Sequence, residues 1–410
     1  MSKINLSKFF LLGCLYVSQY IPFAFFYQAL PVFWRQHGMS LEAIGLLSLI
    51  SLPWMLKFLW SPLIDRYSFT TLGHYRFWII CCQSFLTLTL VVCAFLDIQQ
   101  NLVVILTCLF LMCFLAATQD IATDALAIGL LNRNERGLGN GVQSAGNYLG
   151  AILGGGGMLI ALNRWGWTAS LLTLALCVLL ALIPVLRHKE RKITRSTAKK
   201  PNFMALVNFC HRPGMGHWLL ILILYMAATT MANTMFRPLL VDLGLSLADI
   251  GLLTGIVGFS ASMLGALIAG VLITPLGRKR SLILFGILQA VAIATYILPA
   301  IGVKNLSILY LVCIAVQITM SMAYTIQFTI MMDKSELSTA ATDYTLQTSI
   351  LYFGGIIASI LSGFITKVLG YTGLFAFCIF IGLVSVTVIA RIFDDTQQVA
   401  PLTSSSSRSL

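Results

Sequence analysis

Three ionisable residues stand inside long apolar runs: Lys57, Asp120 and Asp124. A charge at the centre of a bilayer costs at least about 2.5–3.5 kcal/mol on insertion scales, so such groups face a cavity or a partner. Asp120 and Asp124 are four residues apart, which puts both carboxyls on one face of a helix. Two carboxylates close together in a low dielectric resist ionising together. Such a pair can accept a proton from one side of a membrane and release it on the other. Lys57 precedes Asp65 by eight residues on another run, at a depth comparable to Asp124, and an ion pair between Lys57 and Asp124 is expected. A structural role is the alternative, with the aspartates locking their helix to Lys57 or Arg136.

The elements that must hold these groups are membrane helices. The 410 residues are 58% hydrophobic and 10% charged, against about 25% charged in a soluble domain. A soluble fold of this size has too little interior for that much apolar side chain. Runs near the roughly 20 residues needed to span hydrocarbon fall at 9–31, 43–63, 77–96, 102–130, 138–161, 168–186, 217–237, 249–273, 281–301, 306–332, 341–368 and 373–392. The expected fold is an all-α membrane protein of twelve transmembrane helices. The first run has no small-residue cleavage site after a short apolar core, so it is expected to stay as an anchor.

The net charge of +12 does not point to nucleic acid, because the basic residues sit in short connections between apolar runs. Lys3, Lys8, Arg66, Arg76, Arg133, Arg136, the cluster 187–200, Arg212, Arg278 to Arg280, Lys334 and Arg391 fall on one side. Arg35, Arg164, Lys304 and Lys367 fall on the other. The positive-inside rule then predicts both termini in the cytoplasm. The ten cysteines show no CxxC or paired spacing, and no disulfide or metal site is expected. The five histidines lie at loops or helix ends without a nucleophile elbow or a convergent triad, so an enzyme is not expected. Gly154 to Gly157 follow no strand and precede no Lys-Ser/Thr, so they read as close helix packing rather than a phosphate loop. Pro22 and Pro53 are candidate kinks.

The chain repeats itself. Gly38, Ser40, Leu41, Ile44, Gly45, Leu46 and Leu47 recur in register as Gly244, Ser246, Leu247, Ile250, Gly251, Leu252 and Leu253. Gln143, Tyr148 and Gly150 recur with the same spacing as Gln347, Tyr352 and Gly354. The longest connection, 187–216, divides the helices six and six, and its part from Phe203 to Cys210 is a candidate surface helix. The expected units are a bundle over 1–186, a basic cytoplasmic linker over 187–216, a bundle over 217–393 and a disordered tail over 394–410. A parallel repeat of six helices is the architecture of the major facilitator fold, two pseudo-symmetric six-helix bundles with one solute site between them near the midplane.

Three stretches carry a resemblance. They are Lys57 to Arg66 with Trp60, Pro62 and Asp65; Gln119-Asp120 to Asp124, followed by Glu135-Arg136-Gly137; and Phe209 to Gly214. Together they resemble the muropeptide permease and acetyl-CoA transporter branch of the major facilitator superfamily. The wording from Ala117 to Asp124 and at Asn140-Gly141 is most similar to siderophore permeases of the RhtX/FptX type. Asp65-Arg66 keeps part of the superfamily pattern after helix 2, Ser61 replaces its leading glycine, and Gly277 to Arg280 keeps the basic end without the acid.

The resemblance implies a monomeric importer of the bacterial inner membrane without a cofactor, taking a siderophore or ferric siderophore by alternating access, with protons as the coupling partner. It also implies that helices 1, 4, 7 and 10 line the cavity. Their polar residues are Gln19, Tyr20, Tyr27, Gln28, Gln119, Tyr225, Asn233, Arg237, Gln317, Tyr324 and Gln327. Asp65 with Arg66, and Glu135 with Arg136, are expected to form a cytoplasmic latch. The alternatives are a muropeptide permease (though larger permeases of that kind often carry extra C-terminal helices), a metabolite or drug exporter, and a transporter-like receptor.

Overall fold

The computed structural model describes residues 6–36, 50, 52–67, 73–97, 100–190 and 203–393. The first repeat segment at 38–47, the basic cluster beyond 190 and the tail after 393 lie outside them. The described residues form helices: α1 (Leu6–Arg35), α2 (52–66), α3 (His74–Ala94) and α4 (Leu102–Leu130). The run Arg133–Arg187 reverses at Gly166 into α5 (133–165) and α6 (167–187). After a surface helix at Met204–His211 come α7 (Met215–Asp242), α8 (Ala248–Leu276), α9 (Arg278–Ala300) and α10 (Leu306–Asp333). The run Ala340–Ile392 reverses at Gly370 into α11 (340–369) and α12 (371–392).

Local chemistry sets these boundaries. Gly166 and Gly370 turn their chains at φ 74° and 68°, and Gly73 and Gly277 open α3 and α9 at φ 125° and 80°. These positive values are open to glycine and penalised for residues with a Cβ. Each pair is separated by 204 residues (73 to 277, 166 to 370), so the internal repeat is written into the turns as well as the helices. Asn305 Oδ1 caps α10 by accepting from the Ser307 and Ile308 amides at 3.0 and 3.4 Å. The helix Leu247–Gly251 starts where Ser246 Oγ accepts from the Asp249 amide at 3.1 Å.

Packing separates the two halves, α1–α6 and α7–α12, at one end and joins them at the other. Phe25, Trp34, Leu86, Leu109 and Leu174 form a core inside the first half. Phe236, Tyr296, Leu309 and Phe375 form a core inside the second. The third core runs across both, uniting Phe9, Tyr75 and Ile128 with Phe209, Trp218, Phe285 and Met331. It lies at the basic end, where Arg136, Arg212, Arg278 and Lys334 sit. The outer faces expose large apolar side chains such as Phe10, Val103, Val291, Phe364 and Val368. An apolar surface this extensive requires lipid.

Candidate proton and solute site between the two halves

Two helix irregularities set up the charged centre. In α2 the helix Leu52–Leu56, carrying Pro53, gives way to a 3₁₀ turn at Lys57–Leu59 and restarts at Ser61–Arg66 with Pro62 in its first turn. Proline removes an amide and clashes with the preceding turn, so α2 is interrupted here. The interruption carries the Lys57 side chain inward, leaving it 1% exposed. In α1 Pro22 is followed by a π turn at Phe25–Ala29. In α4, Asp120 and Asp124 share a face.

Lys57 Nζ pairs with Asp120 Oδ2, and Gln19 Nε2 of α1 donates to Asp120 Oδ1. The Lys57 ammonium also stands 5.3 Å from the centre of the Trp54 ring. Asp124 is held differently. Its Oδ1 accepts from the Tyr16 hydroxyl at 2.7 Å and from Gln143 Nε2 of α5 at 3.2 Å. Both donors are neutral. Tyr344 of α11 approaches Asp124 and Gln143 from the other half. The expected Lys57–Asp124 pair is therefore corrected: Asp120 takes the cation, because α2 breaks into a 3₁₀ turn at Lys57–Leu59 and depth counted along a continuous helix misplaces the side chain. Asp124 is 2% exposed, and no described cation touches it.

The residues of the expected latch bind other partners. Asp65 does not pair with Arg66. Its carboxylate accepts from the Tyr75 hydroxyl at 2.8 Å, from the Ala341 and Thr342 amides at 3.1 and 2.8 Å, and from the Thr342 hydroxyl at 2.7 Å. It thus caps the N-terminus of α11 from the other half. Arg136 does not pair with Glu135. It donates to Asp333 Oδ1 at 3.0 Å and to the Met332 carbonyl at 2.9 Å, while Asp333 Oδ2 accepts from Arg278 Nε at 2.8 Å. Glu135 binds Lys8 at 3.1 Å and accepts from the Asn132 amide at 2.9 Å. The reason is geometric: neighbouring residues on a helix point in different directions and cannot face each other. Beside these bonds α5 meets α8 through glycines. A Cβ added to Gly141 would stand 2.8 Å from the Ala266 carbonyl oxygen and 3.1 Å from Gly270 Cα. Gly154 of α5 packs likewise on the Ile21 backbone of α1.

Several candidate lining residues are engaged within one half. Gln119 Nε2 donates to Gln83 of α3 at 3.4 Å, and the Tyr225 hydroxyl to the Leu282 carbonyl at 3.0 Å. Gln327 Nε2 donates to the Leu222 carbonyl at 3.2 Å, and Gln317 Oε1 accepts from Ser262 at 3.2 Å. Gln19 holds Asp120. Buried amides and phenols need partners, and neighbouring helices supply them. Gln28 lies against Gly155 of α5. Tyr20, Tyr27, Asn233, Arg237 and Tyr324 keep accessible surface.

Accessibility changes in order along the facing helices. On α1 the stripe Phe9, Leu12, Tyr16, Tyr20, Phe23, Tyr27 passes from buried, through half-buried, to 65% exposed at Tyr27. On α11 the stripe Tyr344, Thr348, Tyr352 passes from buried to 46% exposed. On α7 the stripe Met226, Thr230, Asn233, Arg237 does the same. A cleft between the halves therefore closes at the basic end and opens at the other, with the carboxylate pair at its floor. Tyr16, Trp54, Gln143, Tyr148, Tyr344 and Tyr352 belong to this site although they were not among the sequence candidates. For Gln143, Tyr148 and Tyr352 the signal was the repeat, in which Gln143 and Tyr148 recur as Gln347 and Tyr352; Tyr16, Trp54 and Tyr344 carry no such signal.

Residues 12–359 match the Major Facilitator Superfamily, and the chain belongs to that superfamily. It is a multi-pass membrane transporter of the secondary type, not an enzyme. An uncharacterized protein of Haemophilus influenzae is 31% identical over 88% of this chain and 89% of its own length. The anhydromuropeptide permease of Escherichia coli is 26% identical over 88% of this chain and 74% of its own. Among solved structures, the E. coli fucose:proton symporter superposes with a TM-score of 0.71 at 15% identity, covering 93% of this chain and 98% of that one. A bacterial homologue of the iron transporter ferroportin in an outward-facing state gives 0.69 at 15% identity, covering 94% and 99%. At that identity the structural likeness speaks for the fold alone.

Proposed function

We propose that the chain imports a muropeptide-like solute, a sugar-bearing short peptide, across the bacterial inner membrane by proton-coupled alternating access. The carrying observation is the asymmetry of the two carboxylates at the cleft floor: Asp120 is paired with Lys57, and the described hydrogen-bond donors to Asp124, Tyr16 and Gln143, are neutral. The siderophore expectation yields to its alternative, because the named relative above is a muropeptide permease. The positive-inside rule puts the basic end in the cytoplasm, which makes the cleft outward-open.

In this reading Asp120 stays paired with Lys57, and Asp124 carries the transported proton. The described hydrogen-bond donors to Asp124, the Tyr16 hydroxyl and the Gln143 amide, are both neutral, so this carboxylate, unlike Asp120, has no ion-pair partner among the described residues. Proton and solute arrive through the open end. Once both are bound, the bonds of Asp65 to α11 and of Arg136 to Asp333 break, and the cleft opens at the basic end. Water reaching Asp124 from that side takes the proton. The two states differ by the latch bonds, so their balance is a matter of a few kcal/mol.

The test is uptake of radiolabelled anhydromuropeptide into a permease-null bacterial strain expressing this chain, with and without a protonophore, beside a ferric siderophore. Protonophore-sensitive muropeptide accumulation is expected. Siderophore uptake without muropeptide uptake would return the siderophore reading.

A further inference from the structure

We infer that an aromatic wall above the carboxylates, built chiefly from Phe23 and Tyr352, binds the apolar face of a pyranose ring of the solute. The inference rests on the proposed solute and deepens it. Tyr20 of α1, Tyr148 of α5, Tyr324 of α10 and Tyr352 of α11 are each within electrostatic reach of the other three. Four phenols from four helices, drawn from both halves, thus border the same stretch of the cleft. Tyr20 stands one turn of α1 beyond Tyr16, and Tyr148 five residues of α5 beyond Gln143, and Tyr16 and Gln143 both bind Asp124, so this stretch lies above the floor. Tyrosines that anchor a protein in a membrane sit at helix ends, at the two interfaces. These sit within spans, and Tyr352 keeps nearly half its surface accessible.

The wall extends outward along α1. The Phe23 ring lies parallel to that of Tyr27, 6° apart in plane and 5.9 Å between centres, and is tilted against Tyr20 at 5.3 Å. Such a surface offers flat faces and phenolic hydroxyls. None of its members carries a formal charge: the Lys57–Asp120 pair and Asp124 lie beneath it, and Arg237 stands at the outer end of α7. A poly-anionic ligand would want cations here. A sugar ring matches instead, because its axial C–H bonds stack on aromatic faces while its hydroxyl and acetamide groups hydrogen-bond to phenols. The peptide part, with its carboxylates and amine, is left to the charged floor. The wall thus reads the glycan and the floor reads the peptide.

The experiment measures equilibrium binding to purified protein in nanodiscs, using two ligands: a disaccharide anhydromuropeptide and the same stem peptide without sugar. Phe23→Leu and Tyr352→Ala are expected to weaken the sugar-bearing ligand about tenfold and the bare peptide less than twofold. Tyr352→Phe, which keeps the ring and serves if the alanine variant does not fold, is expected to retain most of the sugar affinity. Equal losses for both ligands, or none for the sugar-bearing one, would overturn the inference and leave the proposed solute standing. Absence of muropeptide binding to the unmodified protein would overturn the solute reading and this inference with it.

Discussion

Asp65 and Thr342, on α2 and α11, are joined across the two halves by two hydrogen bonds, one from the threonine amide at 2.8 Å and one from its hydroxyl at 2.7 Å. The carboxylate also faces the positive end of α11, so charge and hydrogen bonding act together. This contact and the Arg136–Asp333 pair both cross between the halves at the closed basic end.

Asp65→Asn keeps the side-chain volume and removes the charge. It is expected to weaken closure by about 1–2 kcal/mol, a several-fold shift toward opening at the basic end. Hydrogen exchange checks this directly, because asparagine keeps one acceptor oxygen where the carboxylate offered two, so the Ala341 and Thr342 amides are left with one acceptor between them. Faster exchange confined to the start of α11 is the expected result. Unchanged exchange there would count against the latch.

Gly141→Leu tests closure by packing. The new side chain would have to enter the space filled by the Ala266 carbonyl and Gly270 of α8. The closed basic end becomes crowded, and an open basic end relieves it. Spin-label distances between α5 and α8 near their basic ends are expected to lengthen, with uptake slowed at least tenfold. Unaltered distances with normal uptake would contradict the close approach.

Lys57 and Asp120 test each other. Lys57→Met leaves a buried carboxylate without its cation, which costs about 3–5 kcal/mol, whereas an apolar pair in place of both charges is near neutral. Thermal unfolding in detergent should therefore show a large loss for Lys57→Met and a recovery for Lys57→Met with Asp120→Leu. Additive losses would mean the two groups do not share one environment.

These expectations also show what the sequence could reveal. The helices were legible, because a span needs a long apolar run whatever its neighbours do. The repeat was legible too, and the glycine turns at 166 and 370 repeat it in three dimensions. Partner choice was not. Asp65 and Arg66 read as a pair by adjacency, yet each partner in the latch comes from far along the chain: Asp65 with Thr342, Arg136 with Asp333. Likewise Lys57 was matched to Asp124 by depth alone, because a 3₁₀ turn shifts a side chain in a way that counting residues does not reveal. Polar residues such as Gln119 and Tyr225 look identical in sequence whether they line a cleft or brace two helices.

The most direct test of the account is proton flux. Purified protein would be reconstituted in liposomes holding a pH-sensitive dye, and anhydromuropeptide added outside with no imposed gradient. The account predicts acidification of the interior as the solute enters. Asp124→Asn should abolish that signal while solute exchange between pre-loaded liposomes and medium continues. Solute entry with no acidification in the unmodified protein, or undiminished acidification in Asp124→Asn, would contradict the assignment of the proton to Asp124.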